Sequence, residues 1–326
     1  MQWTTEVELP KSEIRVDWKT KLAFIGSCFA ENMAEKFTRF KFRTCVNPFG
    51  IVYNPLSVAN MFERISKKSL YSEKEIFSDG ENFYSWDFHG KFASKDSDRC
   101  LQQMNDALLT AHAYLQSVDV VFVTLGTAFC YFLNESGAVV SNCHRQDAKL
   151  FSRKLLSVDQ VSSALERSVQ TLQSLNPRVQ VVFTVSPLRH LKDGAHGNQI
   201  SKSTLLLAVE RTVQKLKNVE YFPSYEIVMD ELRDYRFYAA DMIHLSSTAE
   251  DYIFEKCGQV YLNSSVRENL QKLDAFLKSA EHRIVNSDSL KLRAFAEKSL
   301  ATAKILESEI EGLDLKTEIR HFESFL

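Results

Sequence analysis

Glycine and proline are scarce in this 326-residue chain, at ten and six residues, which argues against long disordered or low-complexity stretches. A charge excess of either sign is also missing: 40 Lys and Arg stand against 42 Asp and Glu, a net charge of −2. That balance removes the main electrostatic argument for nucleic acid or an anionic membrane as partner, a local basic patch aside. No apolar run approaches the roughly twenty residues of a membrane-spanning helix; VDVVFVTLG and VQVVFTVSP are among the longest. The N-terminal MQWTTEVELPKSEIRVDWKTKLAFIG lacks a basic segment leading into an apolar one, so it reads as no secretory signal. Cys28, Cys45, Cys100, Cys130, Cys143 and Cys257 form no C-x-x-C pair and read as free, mostly buried thiols of a reducing compartment. The expectation is a soluble cytoplasmic protein.

What is present is an ordinary globular composition: 44% apolar, 11% aromatic and 25% charged residues. The length fits about two units, or one large α/β domain with appendages. Short β-branched runs alternate with longer helical patterns. Residues 22–25 read as a strand ending at Gly26, followed by Phe29, Met33, Phe37 and Phe40 at helical spacing. Residues 118–125 and 179–185 read as strands buried on both faces. Helical periodicity runs over 155–175, stopped by Asn176-Pro177, and over 199–216; a short strand at 219–222 ends at Pro223. Ser247-Thr248-Ala249-Glu250 has the capping-box pattern of a helix start just after His244. This rhythm implies βαβ units and a parallel sheet covered on both faces.

Two regions depart from it. Residues 68–98, with Phe77, Phe83, Tyr84, Trp86 and Phe88 among turn residues, read as an inserted loop or small hairpin whose aromatics either pack the insert or form a sugar platform. Residues 266–326 carry Lys, Glu, Leu and Ala at helical spacing and read as two or three helices with a break at 286–289. The expected division is an α/β domain over 1–262, with the insert at about 68–98, and a helical extension over 263–326.

The first strand of an open parallel sheet delivers its following turn to the carboxyl edge, where such sheets bind ligands. Here that turn is Gly26-Ser27-Cys28. A serine at such a turn either caps the helix or presents its hydroxyl outward beside helix-start amides that can serve as oxyanion donors. Cys28 reads as a buried structural thiol rather than a nucleophile. At the far end of the α/β region, Asp241-Met242-Ile243-His244 places a carboxylate where it can accept from Nδ1 of the imidazole. That would leave Nε2 free as a base. The alternatives are a metal ligand pair or two surface polar residues. No second histidine or carboxylate stands at zinc-binding spacing nearby, so no metal is expected.

The string Gly26-Ser27-Cys28-Phe29-Ala30, followed by Glu31-Asn32, is the motif of the GSCFA family, which resembles the SGNH (GDSL-type) hydrolases. The resemblance extends through Asn47-Pro48-Phe49-Gly50-Ile51, Tyr53-Asn54-Pro55, Thr124-Leu125-Gly126-Thr127-Ala128 and Asn142-Cys143-His144. It continues in Val185-Ser186-Pro187, Arg189-His190-Leu191 and Phe222-Pro223-Ser224-Tyr225-Glu226, and ends at Asp241-Met242-Ile243-His244. It implies Ser27 as nucleophile, with Asp241 and His244 as the closing pair. Gly50 matches the second-block glycine, its amide joining that of Ser27 as oxyanion donor. The third block departs from the pattern: Gly126-Thr127-Ala128 replaces Gly-x-Asn-Asp, so Thr127 or Asn142 would supply the remaining donor. Asn47, His144, Arg189 and His190 lie in matching loops, as substrate-binding candidates or as structural loop residues.

The resemblance implies a three-layer α/β/α, flavodoxin-like parallel sheet of about five strands with a C-terminal helical extension. The implied activity is cleavage of an O-acyl ester, such as an acetylated carbohydrate, through an acyl-enzyme and without cofactor or metal. Acyl transfer to a sugar, or a binding module that keeps the fold, are the alternatives. The partner expected is a small-molecule or carbohydrate ester, with no nucleic acid and no membrane span. Oligomeric state is left open, and the C-terminal helices could cover the sheet edge, form an interface or dock a partner.

Overall fold

The structure, a computed structural model, describes residues 5–281 and 289–326. The chain opens with β1 (Lys21–Gly26), α1 (Cys28–Arg39), β2 (Arg43–Val46) and α2 (Pro55–Lys67). A two-stranded hairpin, β3 (Phe77–Ser78) and β4 (Phe83–Tyr84), occupies the expected insert ahead of α3 (Ser97–Leu115). After β5 (Val120–Leu125), the strands β6 (Phe129–Leu133), β7 (Val139–Val140) and β8 (Phe151–Leu155) form a small antiparallel sheet. Then come α4 (Val158–Leu175), β9 (Gln180–Val185), α5 (Gly194–Lys215), β10 (Val219–Tyr221) and the short α6 (Ser224–Glu226). The chain closes with α7 (Ser247–Tyr261), α8 (Ser264–Glu281), α9 (Ser289–Glu309) and α10 (Lys316–Glu323).

The central sheet has five strands, all parallel, in the order β10-β9-β5-β1-β2. Counted along the chain this is the 2-1-3-4-5 order of flavodoxin-like folds, whose topological switch lies between the first and third strands. That switch is the β1–β5 pair, in register from Leu22↔Val120 to Gly26↔Thr124.

Strand alternation builds the three layers. Leu22 and Phe24 point to one core with Val120, Phe122 and Val182; Ala23 and Ile25 point to the other with Val121, Val123 and Phe183. The first core is roofed by α1 and α7 and holds a stack of Phe24 on Phe122 at 5.0 Å. The second is roofed by α2, α3, α4 and α5. The C-terminal helices share the first core, through Leu273, Phe276, Leu277, Ala303, Leu306 and Phe322.

Several local expectations are corrected. Helical spacing was read from 155, but α4 begins at Val158 behind a Ser157 cap, because residues 151–155 are taken up by β8. The helix read over 199–216 starts five residues earlier. The capping box at 247–250 does not form. Ser246 is the N-cap, accepting from the Ala249 amide, and Glu250 binds Asn32 of α1 instead. The break expected at 286–289 lies, but for its last residue, outside the described residues. All six cysteines are free, with Cys100, Cys130 and Cys257 buried and the other three partly exposed. Among the described residues no helix is long and apolar enough to cross a membrane.

Candidate active site

Gly26 closes β1 with φ +138°, a conformation in which a Cβ would lie 2.1 Å from the Thr124 carbonyl oxygen. Its amide donates to Asn47 Oδ1 at 2.8 Å. This turn sets Ser27 at the N-cap of α1, in extended backbone, yet its side chain makes no capping bond. Ser27 Oγ is buried and has no hydrogen-bond partner among the described residues. A buried hydroxyl without a partner costs about 1–3 kcal/mol relative to a satisfied one. Ordinary helix capping therefore does not account for Ser27. Next to it, burial raises the Cys28 thiol pKa, with backbone amides acting in the opposite direction; a thiol held protonated is a weak nucleophile.

The second component sits after β10. Asp241 Oδ2 meets His244 Nδ1 at 2.6 Å, while Asp241 Oδ1 accepts the amides of Ile243 at 2.9 Å and His244 at 3.0 Å. Chiefly the imidazole, then these two amides, holds the Asp241 carboxyl down at about 2. Both side chains are roughly half exposed, at 48% and 47%. With Nδ1 engaged, Nε2 faces away from the carboxylate. The helices that follow the two components run side by side: Asn32 of α1 bonds Glu250 of α7, and Lys36 pairs with Asp251 at 2.6 Å. Their N-termini, with Ser27 and the His244 loop, share the carboxyl edge. Ser27 Oγ and His244 Nε2 are not hydrogen-bonded in this state.

The donors expected for an oxyanion are differently placed. The Ser27 amide reaches the Thr124 carbonyl at 3.3 Å, and the Gly50 amide closes a tight turn onto Asn47 at 2.7 Å. Gly50 has φ +77° and packs so close to His89 that a Cβ would lie 2.2 Å from that side chain. Thr127 is turned away: its hydroxyl lies 2.8 Å from Ser201 of α5 and accepts the Phe129 amide. Asn142 Oδ1 accepts the His144 amide at 2.9 Å and its backbone N–H donates to the Trp86 carbonyl at 3.2 Å, while its side-chain Nδ2 makes no hydrogen bond among the described residues. Asn47 is a buried bracket, binding Gly26 through Oδ1 and Glu31 through Nδ2.

The GSCFA family matches over residues 21–257. The chain belongs to the GSCFA family. No curated protein matches it. Several solved structures are similar at low identity, among them three esterases. A family 3 carbohydrate esterase of Clostridium thermocellum is 11% identical, with TM-score 0.35, over 79% of this chain and 99% of the other. A carbohydrate esterase family 3 protein from Talaromyces cellulolyticus is 8% identical, with TM-score 0.35, over 78% and 99%. An acetyl xylan esterase from the rumen bacterium Butyrivibrio proteoclasticus is 12% identical, with TM-score 0.38, over 80% and 66%.

Around the GSCFA turn the remaining candidates separate. His144 is drawn into the insert: its Nε2 lies 2.8 Å from the Ser85 carbonyl and its ring packs against Phe77, Tyr84 and Trp86. The stack of Phe77 on Trp86 at 3.7 Å commits these aromatics to packing. His190 lies beside Tyr53, ring centroids 5.7 Å apart, and burial followed by the Lys202 charge pulls its pKa down to about 4. It is a neutral imidazole at neutral pH. Arg189 lies over Tyr238 and Tyr235, at 4.2 and 5.3 Å from their ring centroids.

Sequence reading missed Lys202, which looks like one more lysine on a helix. It is fully buried, and its Nζ donates to the carbonyls of Gly126 and Ser186, each at 2.6 Å, tying together the ends of β5 and β9. Burial lowers its pKa to about 7, against the opposing influence of Cys28. Also missed was the contact of Arg153 on β8 with the buried Asp193, at 2.5 Å. The spacing of polar residues in an extended strand gives no hint of such a distant partner.

Proposed function

We propose that this GSCFA chain is a serine ester hydrolase acting through an acyl-enzyme, with Ser27 as nucleophile, His244 as general base and Asp241 as the group that orients the imidazole. The observation that carries this reading is the uncommitted, buried Ser27 hydroxyl at the sheet's switch point, alongside an imidazole whose Nδ1 is already held by Asp241. Nucleophile–base hydrogen bonds are often long or absent without substrate. On binding, His244 Nε2 takes the Ser27 proton as Oγ attacks the ester carbonyl. The Asp241 carboxylate stabilises the resulting imidazolium, which then protonates the leaving alcohol. Water, activated by the same nitrogen, releases the acid and regenerates Ser27.

The oxyanion needs donors at the carbonyl oxygen. The Ser27 amide supplies one by exchanging its long 3.3 Å bond to Thr124. Asn142, whose side-chain Nδ2 is uncommitted, supplies another in place of the absent third-block asparagine. Gly50 contributes only if its turn onto Asn47 opens. The substrate class is an O-acyl ester of a carbohydrate, and a sugar hydroxyl replacing water would make the same acyl-enzyme an acyltransferase. One observation favours a second reading, a binding module on the same fold: both expected oxyanion amides are already donating to backbone carbonyls.

Covalent labelling with a fluorophosphonate, read by intact mass, separates the two. The catalytic reading expects one adduct on the wild-type protein and none on Ser27→Ala or His244→Ala. A folded wild-type protein that takes up no adduct would sink it in favour of the binding module.

A further inference from the structure

The loop that follows β9 carries two cations, Arg189 and Lys192, the second of which donates to the Tyr131 hydroxyl at 2.7 Å. Arg189 makes no hydrogen bond and no ion pair among the described residues. Its neighbours do: Arg233 pairs with Asp230 at 3.4 Å and Arg236 with Asp234 at 3.7 Å. Asp234 is further occupied by the Arg236 amide at 2.9 Å. What holds Arg189 is aromatic: its guanidinium lies over Tyr238 and Tyr235, whose rings are 6.2 Å apart. Stacking uses the faces of a guanidinium and leaves its in-plane N–H groups available for a planar acceptor.

The platform is continuous with the His244 loop. Tyr238 is bridged to Leu245, the residue after His244, and the Ala239 amide donates to the His244 carbonyl at 2.8 Å. A cleft of 180 Å³ is lined by Arg189, Tyr235 and Tyr238 over an apolar floor, and also by Arg233 and Asp234, each already paired. Tyr235 is 66% exposed, a large apolar face left in water beside an unpaired cation.

We infer that Arg189, Tyr235 and Tyr238 form a subsite for a carboxylate carried by the ester substrate, the guanidinium gripping the acid and the exposed tyrosine surface packing the sugar ring beside it. This rests on the ester-hydrolase reading and narrows it to acidic esters. The carboxylate can come from the alcohol part, as in an O-acetylated uronic acid, or from the acyl part, as in a hemisuccinate.

The test is calorimetric binding to the full-length Ser27→Ala protein, which cannot turn the ligands over. Three ligands share one ring: an O-acetyl methyl glucuronide, the neutral O-acetyl methyl glucoside, and the glucoside hemisuccinate. A charge-assisted bidentate contact is expected to make one acidic ligand bind about tenfold tighter than the neutral one, or more. In Ser27→Ala/Arg189→Gln that preference should fall to about twofold or less. Which acid is preferred identifies the part of the ester that bears it. Equal binding of all three ligands, survival of the preference in Arg189→Gln, or no binding of either acid at ~10 mM overturns the proposal. Failure of the hydrolase reading shows separately, as absence of the fluorophosphonate adduct while the Arg189-dependent preference persists.

Discussion

Asp241 and His244 are joined twice: one carboxylate oxygen holds the imidazole Nδ1 at 2.6 Å, the other the His244 backbone amide at 3.0 Å. The carboxylate therefore fixes both the ring and the turn that carries it. Met242, between them, has φ +59°, the left-handed kink that folds the loop back. Asp241→Asn should leave the loop's shape largely intact but can present a donor to Nδ1 and stabilise the wrong tautomer. The rate of fluorophosphonate labelling is expected to fall about a thousandfold or more.

The same pair predicts a pH profile. With the Asp241 carboxyl at about 2, it is ionised throughout the working range, so its own titration leaves no inflection above roughly pH 4. Labelling from pH 4 to 9 checks this, and an inflection near pH 4 to 5 that disappears in Asp241→Asn would contradict a carboxylate held this low.

Lys202 gives a stability prediction with the opposite sign from an ordinary ion pair. Its pKa is about 7 in the fold and about 10.4 in an unfolded chain. Between those values the unfolded state binds more protons, so stability from this group rises with pH. The penalty for burying the charge is fully present below about pH 7 and gone above roughly pH 10.5. Urea unfolding of wild type and Lys202→Met from pH 7.5 to 9.5 should show the wild type gaining on the variant by about 1.4 kcal/mol per pH unit. Parallel curves would mean that Lys202 keeps its proton in the fold across that range.

These groups differ in how legible they were. The sheet was readable because strands buried on both faces, at 120–125 and 180–185, are apolar at nearly every position, and because Gly26, Pro177 and Pro223 punctuate them. The pairing of Asp241 with His244 was readable because it is local, spanning three residues. Elements without a period were lost. The antiparallel β6–β8 sheet is built from short strands, only partly buried, whose sequences FCYFL and FSRKL show no clean alternation. Lys202 and the Arg153–Asp193 contact depend on partners tens of residues away in the chain. The Arg189 platform joins residues from the β9–α5 loop and the segment before His244 in the same way.

Gly26 and Ser27 depend on how the turn is braced, which puts Asn47 under test. Its side chain accepts from Gly26 and donates to Glu31, it is 1% exposed, and its own φ is +39°. Asn47→Ala removes both bonds, leaves the Gly26 amide without its acceptor, and puts at a positive φ a residue that tolerates left-handed backbone less well than Asn. Those losses sum to about 2–4 kcal/mol of stability, measured by urea unfolding. Asn47→Gly loses the same bonds but accepts the positive φ, so it should be less unstable than Asn47→Ala by about 0.5–1 kcal/mol. If the bonds position Ser27, both variants should label slowly with fluorophosphonate even where they remain folded, because strain relief restores the backbone but not the brace. An Asn47→Gly protein that labels at the wild-type rate would reduce Asn47 to a stability role and leave Gly26 alone to aim the nucleophile.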